Sequence, residues 1–471
     1  MFKINFKNEV QLFKRNRILH ILSIIMFIMV FFSMSTGKEK IPSRNTDIQN
    51  EMEELKSYDA SLIKKFKQKE SGEKLEKPWE LGASYISSYR GAVSYMPSKE
   101  LSFIAIGQSD IYTHQKKVSS YGTDVILDLT ELSNPTQLYF GSFDLSFTLI
   151  YLLPLLIIAF SYNIVSESRE NGTLSLVLSQ PLNITTWLSH RVCIRLFIIC
   201  TIVFTSIFIN LIVFNEFQFS LSLFCFLLIT FVYILFWFSL SFFINLKRYN
   251  SVMNAFILFT IWIVTVFIIP NLINNYINNF HPLPSHAKML NEIRLTQAKL
   301  DKVKDATLQN FLENHPELID ETNTDFGFFQ KYVASKKQLK KELTQIVHSY
   351  ELLIEKRDKM AQMLSLLSPT ALLQEAYEEI AGTSLAHYKN YKKQHQEFSE
   401  AWLNFFIPYI FKQTTFTKET LTHLPTFTYQ TFSRWSVIYR YLTVVLLYIG
   451  VIVFYEVKRE KKRNIEELLF I

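Results

Sequence analysis

The chain lacks the glycine-rich loop with which many ATP-binding proteins surround the phosphates of the nucleotide. Such a loop needs two glycines five positions apart, followed by Lys and then Ser or Thr. None of the 11 glycines has another glycine five positions away. If ATP powers this protein, a partner subunit must bind the ATP and its magnesium, and we expect no cofactor in this chain.

Cysteine is scarce, and the histidines follow no catalytic pattern. Cys193, Cys200 and Cys225 all lie in or beside apolar runs, which excludes a disulfide framework in the polar regions. The ten histidines form no His-Glu-x-x-His pair of a zinc enzyme, and no Gly-x-Ser-x-Gly elbow of a hydrolase occurs. We therefore predict no catalytic residue and no metal site, and expect a protein that is not an enzyme.

Long apolar runs, by contrast, are abundant. The chain is 49% hydrophobic and contains 42 Phe. About 20 consecutive apolar residues cross a bilayer. Six runs reach that length, which predicts a mainly α, polytopic membrane protein with spans at 18–36, 143–165, 193–214, 220–246, 251–278 and 436–456.

Ionisable residues are missing from the middle of these runs. The fourth and fifth predicted spans contain none, and the candidates elsewhere sit at span ends, where we expect interfacial anchoring: His20, Asp144, Arg195 and Arg440. Buried charges within spans mark proton relays and coupling-ion sites. An ion gradient is therefore disfavoured as the energy source.

Lys and Arg concentrate before the first span, between the fourth and fifth spans, and after the last span. The residues are Lys3, Lys7, Lys14, Arg15, Arg17, Lys247, Arg248, Lys458, Arg459, Lys461, Lys462 and Arg463. Loops rich in Lys and Arg stay in the cytoplasm. This topology signal explains the clusters better than nucleic-acid binding, and predicts that both termini are cytoplasmic.

Five longer segments lie outside the predicted spans. Residues 1–17 read as an amphipathic helix in the membrane interface, and 457–471 form a basic cytoplasmic tail. Two large segments are expected on the extracytoplasmic side of the membrane. Residues 37–142 are expected to form an α+β lobe, and residues 279–433 a mostly helical lobe. The loop 166–192 is expected in the cytoplasm.

A helical seam occurs in the second large segment. Its apolar residues alternate by four and three positions, a pattern that packs against another helix: Leu339, Leu343, Ile346, Tyr350 and Leu353. The seam suggests contact with a second helix, either in this chain or in an envelope partner.

The loop 166–192 is charged although apolar runs flank it on both sides. In SESRENGTLSLVLSQPLNITTWLSHRV, Thr173 can cap a short helix that starts at Leu174, and Pro181 ends that helix. A partner protein that binds a short helix between two rigid spans can move both spans at once. An ordinary capped loop between spans explains these residues equally well.

The stretch ESRENGTLSLVLSQPL resembles the coupling-helix signature of ABC-2 type transporter permeases, in which this loop docks onto the ATPase subunit. The matching residues are Glu167, Arg169, Glu170, Gly172, Thr173, Leu174, Leu178, Ser179, Gln180 and Pro181. One departure stands out, since Ser168 occupies a position where the signature usually has an acidic residue. Glu167 is the candidate to compensate.

Two further stretches, in the large segments, resemble one subfamily of these permeases. It has two extracytoplasmic insertions and is related to permeases of gliding-motility and nitrous-oxide-reductase-maturation systems. The matching residues are Gly107, Gln108, Ser109, Asp110, Ser368, Pro369, Ala381, Gly382, Thr383 and His387. Roles in turns and caps suit these residues at least as well as ligand contact does.

The resemblance implies a six-span permease subunit of the type V exporter kind in the bacterial cytoplasmic (inner) membrane. It implies two copies of an ATP-binding subunit, a second copy of this chain or a related permease as partner, and an optional extracytoplasmic partner protein. Two alternatives stay open. In the first, the chain is a mechanical transmitter that moves its outer lobes without transporting a solute. In the second, it is a membrane-anchored receptor or scaffold without an ATPase.

Overall fold

The computed structural model describes residues 2–110, 112–120, 143–174, 184–247, 249–282, 286–319, 326–412 and 416–469. They are mainly helical, and the longer helices are α1 (Phe2–Arg15), α2 (Arg17–Glu70), α3 (Leu145–Glu170), α4 (Ile184–Val213), α5 (Leu221–Leu246), α6 (Ser251–Phe280), α7 (His286–Lys302), α8 (Lys304–Asn314), α9 (Phe328–Leu364), α10 (Pro369–Ala381), α11 (Leu385–Phe411) and α12 (Trp435–Leu469). Within these residues β1 (Ala92–Tyr95) pairs antiparallel with β2 (Gln115–Val118).

Six of the helices are long and apolar enough to cross a membrane: α2, α3, α4, α5, α6 and α12. The expectation of a mainly helical protein with six such helices is confirmed. Tyr233 and Trp237 of α5 are fully buried at the centre of the bundle. Large apolar side chains on α2, α6 and α12 stay exposed, among them Ile28, Phe256 and Leu447. Exposed apolar faces of this kind suit contact with lipid.

Helix α2 is far longer than a bilayer requires. It has 54 residues, which corresponds to roughly 80 Å at 1.5 Å per residue, so the predicted span 18–36 is only its first part. Asn16 caps it, since its Oδ1 accepts a hydrogen bond from the Ile18 backbone N–H at 3.1 Å. At Gly37 any Cβ would collide with the Phe103 backbone carbonyl, so the backbone at Phe103 can pack this closely against α2 only because residue 37 is glycine. One continuous rod thus joins the membrane bundle to the first large segment.

The two large segments share one apolar core. Phe66 of α2 and Val118 of β2 belong to the same buried cluster as Trp402 and Phe406 of α11. The Trp402 indole N–H also donates to the Ser87 backbone carbonyl at 3.2 Å. Parts of 37–142 and of 279–433 therefore share one core around α11, although the sequence favours two lobes.

The helical seam is filled from within the chain. Leu339 and Leu343 of α9 are buried against Leu300 of α7, and Ile346 packs at the edge of the same cluster. Because α7 covers these side chains, the seam is not an exposed surface for an envelope partner.

Helix α10 and the turn that joins it to α9 enter the membrane bundle. At the tip of this segment the Tyr448 hydroxyl of α12 donates to the Leu366 carbonyl at 2.6 Å, and Ser368 Oγ donates to the Thr265 carbonyl of α6 at 3.1 Å. Thr265 and Tyr448 lie near the middle of their apolar helices, so the tip is level with the middle of the bundle. Non-helical backbone is tolerated at that depth only where protein groups satisfy it, as these two hydrogen bonds do.

Candidate functional site

The candidate coupling segment begins where α3 breaks and restarts. Regular helix ends at Ser161 and resumes as Ser166–Glu170. Asn245 of α5 donates from Nδ2 to the Ser161 carbonyl at 2.9 Å, and Asn254 of α6 donates to the Tyr162 carbonyl at 3.0 Å. Asparagines that bridge helices in this way hold membrane bundles together. The break is therefore fixed by two neighbouring spans.

An exposed turn follows this short helix. Glu170, Asn171, Gly172 and Thr173 are all exposed. Gly172 has a φ of +71°, the left-handed region that favours glycine, and a Cβ there would meet nothing within 4 Å. Thr173 Oγ1 donates to the Ser168 carbonyl at 3.0 Å, which closes the turn on itself.

Glu170 fastens this turn to the start of α6. Its Oε1 accepts a hydrogen bond from the Ser251 backbone N–H at 2.8 Å, and its Oε2 accepts from Ser251 Oγ at 2.8 Å. A carboxylate at a helix N-terminus satisfies unpaired N–H groups and interacts favourably with the helix dipole. Arg169 adds a second link, because its Nη2 donates to the Tyr249 carbonyl at 2.7 Å.

A buried ion cluster fastens α1 to the same end of the bundle. Glu9 of α1 is ion-paired through Oε1 with Arg191 Nε and through Oε2 with Arg195 Nε, the latter at 2.8 Å. The arginines of α4 also donate to α3, from Arg191 Nη1 to the Ile164 carbonyl and from Arg195 Nη1 to the Phe160 carbonyl, each at 2.6 Å. Three helices thus meet at one carboxylate. Arg195 is buried there and does not reach an interface, so interfacial anchoring was the wrong role for it.

Ser168 takes part in this cluster instead of leaving a gap. Its Oγ accepts from Arg191 Nη1 at 3.1 Å, while Glu167 accepts from Asn163 Nδ2 at 3.0 Å. The carboxylate that faces the two arginines comes from Glu9. The sequence gives one signal for Glu9, an acidic residue on an otherwise basic amphipathic helix, and the signal was missed. The structure describes Leu174 as helical, whereas Leu178, Ser179, Gln180 and Pro181 lie outside the described residues.

The motifs of the two large segments come together at the opposite end of the bundle. Gly107 has a φ of +51°, and a Cβ there would lie 3.1 Å from Thr383 Oγ1. Thr383 Oγ1 donates to the Ala105 carbonyl at 2.8 Å, and Ser109 Oγ donates to the Ile106 carbonyl at 2.6 Å. The side chains of Gln108 and Asp110 lie outside the described part of the chain. Gly107 of the first motif therefore packs against the end of α10.

The Ser-Pro and Ala-Gly pairs begin and end α10. Ser368 is its N-cap, with Oγ accepting from the Ala371 backbone N–H at 3.2 Å, and Pro369 occupies the first helical position. Ala381 is the last helical residue, and Gly382 follows with a φ of +73°. These motif residues therefore fix the length of the helix that enters the bundle.

His387 belongs to a buried polar network around the end of α10. Its Nδ1 lies 2.7 Å from Ser384 Oγ, and its Nε2 lies 3.0 Å from Lys99 Nζ. Burial lowers the pKa of His387 to about 4, against the opposing effect of Glu379, so the ring is neutral at neutral pH. The Arg434 backbone N–H donates to Glu379 Oε1 at 2.6 Å. The network joins the first large segment, α10 and the approach to α12.

Comparison with known proteins adds one match. Residues 286–430 match a family described as a domain of unknown function, DUF3526. The match runs from α7 through α11 and includes none of the six apolar helices. No curated protein and no solved structure matches the chain.

Proposed function

We propose that this chain is the membrane-spanning permease subunit of an ATP-binding-cassette exporter. A separate ATPase subunit docks on the exposed turn Glu170–Thr173 within the loop 166–192. The observation that supports this best is the double attachment of the turn: Glu170 binds the start of α6, and the Glu9–Arg191–Arg195 cluster ties the adjoining part of α3 to α1 and α4. A displacement of the turn is therefore transmitted to four helices, α1, α3, α4 and α6.

The mechanism follows from these attachments. ATP binding draws two ATPase subunits together, and their movement displaces the turn. Because the turn is bonded to α6 and its helix is bonded to α4 and α1, the displacement passes to these helices as a rigid-body motion. Two permease chains, identical or related, line the central path, and the bundle alternately opens to the two sides of the bacterial inner membrane. Both termini and the turn face the cytoplasm.

Co-purification and ATPase coupling test the proposal. The purified chain brings an ATP-binding-cassette protein with it and stimulates that protein's ATP hydrolysis. In the double variant Glu170→Gln with Gly172→Asn, stimulation falls to the level of the ATPase alone. Asn tolerates the left-handed backbone at position 172, so the variant alters the exposed surface of the turn and weakens the attachment of residue 170 to Ser251 without straining the backbone.

A matched control comes from the other end of the molecule. Gly72 also has a positive φ, +80°, and a Cβ there would also meet nothing within 4 Å. Gly72→Asn should leave ATPase stimulation unchanged. Full stimulation in the double variant, or the absence of any co-purifying ATP-binding protein, would contradict the proposal.

Mechanical transmission is the second candidate function. The continuous helix α2 favours it, because one rod runs from beside the Glu9 cluster to the shared core of the large segments. The outer body then moves when ATP is hydrolysed, and no solute crosses. Vesicles that contain the chain and its ATPase separate the two functions: an exporter accumulates solute, and a transmitter hydrolyses ATP without accumulation.

A further inference from the structure

A cavity of about 890 Å³ lies between α6, α9, α10 and α11. Small-molecule sites occupy roughly 300–1,000 Å³, so a compact organic ligand fits this space. Pro270, Ile273 and Ile277 of α6 form an apolar wall, whereas the other helices contribute carboxylates, ammonium groups, the Arg357 guanidinium and aromatic rings. Arg357 donates hydrogen bonds to the His281 carbonyl and to Asn278 Oδ1. The cavity is therefore suited to a ligand with an apolar part and a polar part.

Most acidic groups that line the cavity already have a cationic partner. The ion pairs are Glu351 with Lys392 at 3.3 Å, Asp358 with Lys389 at 3.4 Å, Glu355 with Lys359 at 2.7 Å, and Glu375 with Arg440. Two of these pairs join α9 to α11 and hold the walls together. Each of these four carboxylates is thus already neutralised in part by a neighbouring cation.

Glu378 differs from them. Its Oε1 accepts a hydrogen bond from Gln374 Nε2 at 2.8 Å, and among the described residues no salt bridge to it occurs. Burial, together with the nearby carboxylates of Asp144, Glu375 and Glu379, raises the pKa of Glu378 to about 7, although Gln374 opposes this. An opposite charge within a few ångströms favours the ionised form of such a group. The cavity thus has an acidic group that a cation would stabilise.

Aromatic rings line the same space. Tyr112, Tyr350 and Tyr388 border the cavity, and the rings of Tyr112 and Tyr388 stack with their centroids 3.9 Å apart. The faces of aromatic rings attract organic cations. Rings, an apolar wall and one carboxylate without a salt bridge are the three features that an amphipathic cation requires.

We propose that this cavity binds an organic cation carried on an apolar body, with Glu378 as its counter-ion. A free organic cation and an amine-bearing lipid headgroup share this chemistry. The inference does not rest on the permease function, because binding is measured on this chain alone without an ATPase.

Tetraphenylphosphonium is the probe for the free cation. We expect saturable binding to the full-length protein in phosphatidylcholine nanodiscs, above the background of empty nanodiscs. Glu378→Gln should weaken binding about tenfold. Glu355→Gln is the matched control, because its carboxylate lines the same cavity but is held by Lys359, and binding should stay within about twofold of wild type.

The pH dependence gives a second readout. A carboxyl with a pKa of about 7 is mostly ionised at about pH 8 and mostly protonated at about pH 6. Wild-type affinity should therefore fall about tenfold between about pH 8 and 6, and the affinity of Glu378→Gln should not change.

Two tryptophan variants test whether the ligand occupies the space beside the apolar wall. Ile273→Trp fills the cavity without changing its charge and should abolish binding. Leu272→Trp, at a neighbouring position that is 62% exposed, should leave it intact. Native mass spectrometry with phosphatidylethanolamine is the arm for the lipid, and a bound lipid that Glu378→Gln loses also supports the proposal. Binding of neither probe, or binding that neither Glu378→Gln nor Ile273→Trp weakens, would overturn it.

Discussion

Removal of the Glu9 carboxylate is the sharpest test of how α1 is attached. In the Glu9→Ala variant, Arg191 and Arg195 lose their shared counter-charge but keep their hydrogen bonds to the Ile164 and Phe160 carbonyls. Two buried guanidinium groups then lack a carboxylate. Loss of one member of a buried ion pair costs about 3–5 kcal/mol, and we expect a cost in that range for the attachment of α1.

Trypsin cleavage between α1 and α2 reports this cost. Arg15 ends α1 and Arg17 begins α2, and cleavage there requires local opening. If cleavage follows the population of the open form, 3–5 kcal/mol corresponds to an increase in rate of about a hundredfold to several thousandfold. Glu9→Gln keeps an acceptor without the charge and should fall between wild type and Glu9→Ala.

The exposed residue Glu73 supplies the control. Glu73→Ala removes the same charge far from α1 and should not change the cleavage rate. Burial raises the pKa of Glu9, but the two arginines lower it further, to below its ordinary value of 4.5. The contribution of Glu9 is thus complete above about pH 4.5 and is lost only as the pH falls further. A Glu9→Ala protein that is cleaved at the wild-type rate would refute the reasoning.

Three more predictions concern α10 and its surroundings, each measured as the thermal unfolding midpoint of the purified protein. Gly382→Ala strains a backbone with a φ of +73° and should cost about 1–2 kcal/mol. Gly450→Ala is the control, because a Cβ at this position inside α12 would meet nothing within 4 Å, and it should not destabilise the protein. Tyr377→Phe removes a buried hydrogen bond of 2.8 Å to Thr230 and should cost about 1 kcal/mol; the double change with Thr230→Val should cost less than the sum of the two single changes. Because the pKa of Glu378 is raised to about 7, the folded state binds its proton more tightly than the unfolded state does. Glu378 therefore destabilises the folded state increasingly as the pH rises from about 4.5 to 7, and the unfolding midpoint of Glu378→Gln relative to wild type should rise across that window; a difference that does not change with pH would contradict the prediction.

The sequence predicts the six apolar helices because their signal is local. A run of about 20 apolar residues can be recognised in the sequence without knowledge of any tertiary contact. The entry of α10 into the bundle gives no such signal. Helix α10 carries Glu375, Glu378 and Glu379 among its apolar residues, and only its packing against α5 and α12 shows that it enters the bundle.

The motif in the sequence identifies the candidate coupling segment, but it does not predict the hydrogen bonds and ion pairs that attach this segment to other helices. Ser251 and Glu9 lie far along the chain from Glu170 and Arg191, and nothing in one sequence pairs them. The glycines were easier, since Gly107 and Gly382 were expected in turns and both have positive φ. The shared core of the large segments was missed because its contacts join residues more than 300 positions apart, such as Ser87 and Trp402.

Cross-linking from Thr173 tests the central claim most directly. The variant Thr173→Cys, in a background without Cys193, Cys200 and Cys225, places one thiol on the exposed turn. In intact membranes it should cross-link to the co-purifying ATP-binding subunit, and the yield should change when ATP is added. A thiol that only reagents from outside the cell can label, or that never cross-links to a nucleotide-binding protein, would contradict the account.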